Sequence, residues 1–321
     1  MPIDGDPLPC ISIVTCSSHV ATDAVARAVA TSLEGVANAQ VVILSSVAAT
    51  ETKHHVFDVP EGTKLSKLRQ FSHSADSDFV CICDPDLDVH SDATREVITQ
   101  AIKASAGKSE IVAFGLIDCR DDGTLLSSVI AIDKWLSHRV LRPILWGYGL
   151  GITIPGQFLV LSTSVLQRLD PAVDSYLDDL YLGWIARYNG VRVLRVPVVV
   201  GDEESRSTLA SLLTQRLRWM RGLFSLVGHL SQQPKALGFL AVHFMAYHGL
   251  PILWMICLGI LAIFHPVVAV AFFAATVLMI SWLSHQSLVA AATFSLLFPL
   301  LHCFATLLWW APISRQRLRQ R

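Results

Sequence analysis

"CISIVTCSSHVATDAVARAVATSLEGVANAQVVILS", Cys10–Ser45, begins and ends on short apolar runs rich in β-branched residues, Cys10–Thr15 and Gln40–Ser45. Between them, Val20–Val36 has helical spacing and closes on a glycine. Strand, helix, strand in this order is the mark of a parallel sheet. The alternation continues with a helix over "TKLSKLRQFSHSA" (63–75), the strand "FVCIC" (79–83), a helix at about Ser91–Ala106 and the strand "EIVAFG" (110–115). The expected fold is α/β with a doubly wound sheet. No G-x-G-x-x-G follows the first strand, which argues against a dinucleotide cofactor. Further on, "LDDLYLGWIARYNG" (177–190) reads as a helix stopped by Asn189-Gly190 and "VRVLRVPVVV" (191–200) as a strand. "STLASLLTQRLRWMRGLFSLVGHL" (207–230) reads as a long helix, apolar on one side with arginines on the other. Helices of that kind lie in membrane interfaces.

The chain has 321 residues, 52% hydrophobic and 16% charged, against about a quarter charged in soluble domains. The deficit is local, because Ala236–Ser314 contains no Asp, Glu, Lys or Arg. Such a run belongs in a bilayer rather than in water. Three apolar stretches divide it, Ala236–Phe264, Val267–Leu283 and Leu288–Ala311. Three crossings would put the basic end "RQRLRQR" across the membrane from Arg216, Arg218 and Arg221, against the positive-inside tendency. An even count is therefore expected, with Gly249-Leu250-Pro251 making the first stretch a re-entrant hairpin. The expected layout is a catalytic domain over 1–205, an interfacial helix over 206–235, a membrane region over 236–311 and a basic cytoplasmic tail over 312–321. "MPIDGDPLPCISIVTC" lacks the basic start and long apolar run of a signal peptide, so the catalytic domain is expected in the cytoplasm. A net charge of −1, with no basic stripe interleaved with aromatics, gives a nucleic-acid partner no footing. Cys81 and Cys83 alternate in an apolar strand with no second pair at zinc spacing, and are expected to pack as small buried hydrophobes.

Three features can carry chemistry, and each has a bland alternative. "CDPDLDV" sets Asp84, Asp86 and Asp88 directly after a strand, where open α/β sheets bind ligands. The triplet is either a site for a hard cation and a diphosphate or a solvated acidic loop. Asp178 and Asp179 open a helix, either as residues that complement its N-terminal N–H groups or as a general base for a hydroxyl. In "TQRLRWMRGL" (214–223), Gln215, Arg218 and Trp219 share a helix face, while Arg216 and Arg221 point elsewhere. A guanidinium and an indole can hold a diphosphate and the apolar face of a sugar. The alternative is a collar of arginines at the membrane interface, the part expected for Arg216 and Arg221.

Taken in order, D-x-D after a strand, an acidic pair, then Q-x-x-R-W just before membrane segments resembles the membrane-bound family 2 glycosyltransferases with a GT-A catalytic domain. Cellulose, chitin and hyaluronan synthases and ceramide glucosyltransferases share that pattern. The resemblance implies that Asp84 and Asp86 hold a divalent metal, Mg or Mn, and the nucleotide diphosphate. It implies Asp179 as catalytic base with Asp178 as its partner, and Gln215, Arg218 and Trp219 beside acceptor and diphosphate. "GTKLSKL" (62–68) resembles the family's lysine-bearing segment, bringing Lys64 or Lys67 towards the nucleotide. "IPGQFLVLSTSVL" (154–166) resembles the segment lining the acceptor cleft, with Gly156 and Gln157 at its turn. "PISRQRLRQR" resembles the basic segment after the last span in the ceramide glucosyltransferase branch. One departure stands out: the family's Asp at the end of the second strand is replaced by Ser45-Ser46, where Ser45 could still hydrogen-bond a uracil. The implied activity is inverting transfer of a sugar from a nucleotide-diphosphate donor, a UDP-sugar first, to a lipid or polysaccharide hydroxyl at the cytoplasmic membrane face. A compact chain favours a glycolipid over a polymer channel, which would need more spans. The missing Asp leaves a second reading, a degenerate, non-catalytic transferase serving as a binding or assembly subunit.

Overall fold

The structure, a computed structural model, describes residues 8–16, 24–45, 55–58, 62–106 and 109–310. The chain divides into two compact units, Met1–Asp118 with Ile152–Glu204, and Cys119–Gly151 with Ser205–Arg321.

Among the described residues, the first unit is built on eight strands: β1 (Cys10–Cys16), β2 (Asn38–Ser45), β3 (His55–Asp58), β4 (Phe79–Cys83), β5 (Leu87–Val89), β6 (Ile111–Cys119), β7 (Phe158–Ser162) and β8 (Arg192–Glu203). Their order in the sheet is β3-β2-β1-β4-β7-β6-β8-β5. β3, β2, β1 and β4 are parallel. β7 runs antiparallel to β4 and β6, and β5 antiparallel to β8. The parallel arrangement is thus interrupted by β7 and edged by the antiparallel β5 in a mixed sheet. β7 follows the excursion of the chain into the second unit, so no strand–helix–strand crossover imposes its direction.

Alternate strand residues face opposite ways. Ile11, Ile13, Cys81, Cys83 and Phe158 pack with Ala26, Val29 and Leu33 of α1 (Ala24–Ser32). The same core takes in Val97, Ile98 and Ala101 of α3 (Ser91–Ser105). Val14, Val80 and Ile82, on the other face, are equally buried. Burial on both faces is why these strands read as unbroken apolar runs. Cys81 and Cys83 are fully buried, as small hydrophobes. α2 (Lys64–Ser72), α6 (Thr163–Leu166) and α7 (Asp178–Tyr188) form a further packed layer.

The second unit is helical. α4 (Leu125–Trp135) runs through a π-helical turn (Leu136–Leu141) into α5 (Arg142–Gly147). α8 (Leu209–His229) starts with a Thr208–Ser211 capping box. α9 (Pro234–Phe244), a π turn (Met245–Gly249) and α10 (Leu250–Phe264) make one continuous helical run. α11 (Pro266–Ser284) and α12 (Leu288–Trp310) complete the unit. Both π turns run into a proline, Pro143 and Pro251, whose missing N–H interrupts the i→i−4 ladder. Pro299 inside α12 frees the Ser295 carbonyl in the same way, and the Trp254 indole N–H donates to it at 3.0 Å.

Among the described residues, three helices are long and apolar enough to cross a membrane: Pro234–Phe264, Pro266–Ser284 and Leu288–Leu307. The expected hairpin is absent. Gly249, Leu250 and Pro251 sit in a widened helical turn with right-handed backbone, not in a reversal. The even crossing count loses its structural basis with it. The basic tail lies outside the described residues. α12 packs with α4, α8 and α11 through Val129, Ile132, Leu212, Val277, Phe294 and Phe298. Ile263, Val267 and Trp282 turn outwards, more than two-thirds exposed, as lipid-facing side chains do.

Candidate active site

The carboxyl end of β4 hands directly to Asp84. The Asp84 N–H donates to the Gln157 carbonyl at 2.8 Å, carrying the β4–β7 pairing one step past Cys83–Phe158. The Leu87 N–H donates to the Asp84 carbonyl, closing a tight turn over Pro85 and Asp86, with Asp86 exposed at its tip. The acidic triplet is therefore presented by a sheet, as its place in the sequence indicated.

Lys64 meets this turn from the first position of α2. Thr63 caps that helix, its hydroxyl oxygen accepting the Ser66 N–H at 3.2 Å. The Thr63 hydroxyl also donates to the Asp174 carboxylate, which ties α2 to the segment before α7. Lys64 Nζ donates to Asp84 Oδ1 at 2.6 Å and to the Gly156 carbonyl at 2.7 Å, and stands 3.4 Å from Asp178 Oδ2. Burial alone would lower the Lys64 pKa, but Asp178 and Asp84 outweigh it and hold the ammonium well above the usual lysine range. Burial pushes the Asp84 carboxyl upward, with Lys64 opposing. Nearby Cys16 is pushed up to about 12 by burial, so its thiol stays protonated. Lys67, one turn further along α2, is buried, and Lys64 alone of the two reaches Asp84.

Asp178 and Asp179 occupy the first turn of α7, after Leu177 as N-cap. Asp179 Oδ1 accepts the Leu180 N–H at 2.8 Å. Asp178 Oδ2 is buried without a hydrogen-bond partner, and the Lys64 ammonium answers its charge from 3.4 Å. Two glycines bring this helix in. A Cβ on Gly183 would lie 1.9 Å from the Ile152 carbonyl oxygen, and one on Gly156 would meet Asp179 Cβ at 3.2 Å. At Gly183 only hydrogen fits against the Ile152 carbonyl, and at Gly156 a side chain would press on Asp179. Gln157 donates to Glu203 at the end of β8 at 2.7 Å. Glu203 is 7% exposed and was not among the residues expected from sequence. It lies three residues past the apolar run Val198–Val200, behind Gly201 and Asp202, so it lacks the signal of Asp84, which directly follows its strand. Ser45 ends β2 opposite Asp58 of β3. Its side chain, like Ser46, lies outside the described residues.

Gln215, Arg218 and Trp219 belong to α8 in the second unit. Arg218 is exposed, and Gln215 and Trp219 are half-buried. Here the collar expectation needs correcting for Arg216. It lies on the buried stripe of α8 with Leu212, Met220 and Leu223 and is 4% exposed. Its Nη2 donates to Asp133 Oδ2 of α4 at 2.6 Å. Its guanidinium stacks 4.3 Å from the Trp219 ring centre and 5.1 Å from that of Phe298. Pairing and two aromatic faces make burial of this cation tolerable. One face of Trp219 is consequently covered by the protein itself.

The family model for glycosyl transferase family group 2 matches residues 112–312. The chain belongs to this family. The matched region takes in Gly156, Gln157, Asp178, Asp179 and the Q-x-x-R-W residues, while Lys64, Asp84 and Asp86 lie before it. The first unit is a mixed sheet with flanking helices. No curated protein matches the chain significantly. Among solved structures, a mannosyltransferase from Pyrobaculum calidifontis in complex with GDP-Man and Mn2+ is 16% identical, with a TM-score of 0.49, covering 93% of this chain and 91% of its own. Glucosyl-3-phosphoglycerate synthase from Mycobacterium tuberculosis, in complex with Mn2+, UDP-glucose and phosphoglyceric acid, is 16% identical with a TM-score of 0.46, covering 68% and 79%.

Proposed function

We propose that this glycosyltransferase moves a sugar from a nucleotide-diphosphate donor, a UDP-sugar first, to a hydroxyl of a membrane lipid or a polysaccharide at the cytoplasmic face, with inversion. The observation that carries the proposal is the meeting of Asp84, Lys64, Gly156 and Asp178 at the sheet's carboxyl edge, with Asp179 beside them. Asp179 takes the proton of the acceptor hydroxyl. The acceptor oxygen attacks the anomeric carbon, and the bond to the diphosphate oxygen breaks with its electron pair leaving on the diphosphate. Attack from the side opposite the leaving group inverts the configuration. Lys64 supplies a fixed positive charge where the diphosphate's negative charge grows. Arg218 and Gln215 serve the diphosphate and acceptor, and Trp219 serves a sugar with the face that Arg216 does not cover.

The residues also suit a divalent cation. Asp84 and Asp86 offer only hard oxygen donors on a tight turn, and the buried Asp178 Oδ2 lacks a hydrogen-bond partner. Among the described residues no three metal-ligating side chains cluster. Mg or Mn is commonly held by one or two carboxylates with substrate phosphates and water completing the shell. Bound at Asp84 and Asp86, such an ion would neutralise the diphosphate.

Asp179→Asn tests the proposal in purified protein reconstituted in lipid with a panel of labelled nucleotide sugars. Transfer should fall by about 10²–10⁴-fold with donor binding retained. Full transfer by the variant removes Asp179 as base. Donor binding with no transfer to any acceptor by the wild type favours the non-catalytic reading, for which the replacement at Ser45 is the motive.

A further inference from the structure

Inside the second unit, α4, both π turns, α10, α11 and α12 line a half-open cavity of about 250 Å³. Its walls are largely apolar, with Trp254, Phe294 and Phe298 among them, and its polar groups are few, with Asp133, Tyr247 and His302 the prominent ones. Two of these tie it to the rest of the unit. Asp133 accepts from Arg216, and Arg216 stacks on both Trp219 of the Q-x-x-R-W motif and Phe298 of the cavity wall. His302 Nδ1 faces His248 Nδ1 at 2.9 Å, so one ring donates and the other accepts. The Tyr247 hydroxyl is buried without a hydrogen-bond partner, a state that costs about 1–3 kcal/mol.

An apolar pocket with a few polar groups is the usual form of a small-molecule site. Here three of the walls come from helices apolar enough to cross a membrane. The medium around such helices is hydrocarbon, so the ligand that can be delivered is a lipid chain. The volume is below the ~300–1,000 Å³ of pockets that enclose a whole drug-sized ligand, and suits a segment of one chain. A lipid hydroxyl or ester at its polar end would give Tyr247 its missing partner. We infer that this cavity holds the head-proximal part of one hydrocarbon chain of the sugar acceptor, a hydroxyl-bearing membrane lipid. The inference rests on the glycosyltransferase proposal and narrows its acceptor from lipid or polysaccharide to lipid. Asp133 and Arg216 then position the acceptor end of the cavity against the Q-x-x-R-W helix.

The test uses the full chain in phosphatidylcholine vesicles with a long-chain alcohol carrying a diazirine and an alkyne. After photolysis, labelled peptides are mapped by mass spectrometry, and nucleotide-sugar affinity is measured separately. Two cavity-filling variants on different helical segments, Ala246→Phe and Ile280→Trp, guard against misfolding of either one. The wild type should be labelled at the cavity-lining positions of 246–254 and 294–302. Both variants should lose that label to the level of outward-facing Val267 and Trp282, with the KM for sugar transfer to the alcohol raised about tenfold or more and donor affinity unchanged. Equal labelling in wild type and variants, or label confined to outward positions, overturns the inference. Cavity labelling with transfer only to a polysaccharide primer overturns the acceptor role. Loss of donor binding by the wild type would sink the glycosyltransferase proposal while leaving the labelling result to stand or fall by itself.

Discussion

Lys64 in the first unit and Arg216 in the second are both drawn out of water, and differently. In the first, Lys64 stands between two carboxylates, its side chain 19% exposed and those of Asp84 and Asp178 27% and 14%. In the second, Arg216 has one carboxylate partner, is 5% exposed at its side chain, and lies between aromatic rings. A lysine ammonium is a compact charge on a flexible stem, able to exchange Asp84 for a ligand. A guanidinium that is stacked and paired at once is fixed by its plane. The first arrangement suits a site whose charge balance changes as substrate arrives. The second suits a scaffold within apolar helices, where an uncompensated charge is intolerable.

Breaking the fixed cation should have the larger effect on stability. Arg216→Met leaves Asp133 without its partner and should lower stability by about 3 kcal/mol, the lower end for disrupting a buried pair, since Asp133 keeps partial exposure. Thermal unfolding in detergent measures this. Arg216→Lys, which keeps the charge and loses the stack, should recover only part of it, and full recovery would show that stacking contributes nothing. Gly183→Ala comes next, forcing α7 away from the Ile152 carbonyl at a cost of about 1–3 kcal/mol. It should reduce transfer more than donor binding because Asp178 and Asp179 move with the helix. An unchanged turnover number would refute that link.

Lys64→Met should cost less stability and more function. Asp84 and Asp178 are partly solvated, whereas the charge proposed to face the diphosphate is lost, and transfer should fall about 10–100-fold, the worth of one charged hydrogen bond. A variant that unfolds like Arg216→Met but transfers normally would erase the distinction between the two cations. The smallest effect concerns pH. With its pKa raised, Lys64 contributes stability that is complete below the unfolded value of about 10.4 and is lost only as pH rises through the higher folded value. From about pH 6 to 9 that contribution should stay constant. Pulse acetylation, which reads the neutral amine, should find Lys64 among the slowest lysines to react in that range. Fast labelling at the alkaline end would show that the carboxylates do not hold its proton.

Much of the first unit was legible in the chain because local physics decides it. β-branched runs, a helix between them and acids directly after an apolar strand signal the parallel half of the sheet and place Asp84 at its carboxyl edge. The D-x-D turn and the acid pair at the start of α7 depend on neighbours in sequence. The antiparallel strands β7 and β5 were not legible, since they take their direction from pairing partners far along the chain. Nor was Glu203, whose meaning lies in a hydrogen bond to Gln157, 46 residues away. The first apolar stretch shows the opposite error. Gly249 and Pro251 read locally as a break, yet a π turn absorbs the proline and the helix continues.

The sequence by itself determined the residues capable of chemistry, the apolar helices able to span a membrane and, through motif order, the family. Hydropathy and β-branching act along the chain, so they can be read from it. Tertiary structure alone decided which cation meets which anion. Lys64 rather than Lys67 faces Asp84, and Arg216 turns inward to Asp133 because a partner and two rings await it there. Burial of a charge is settled by what surrounds it in space, and no spacing rule along one helix contains that information.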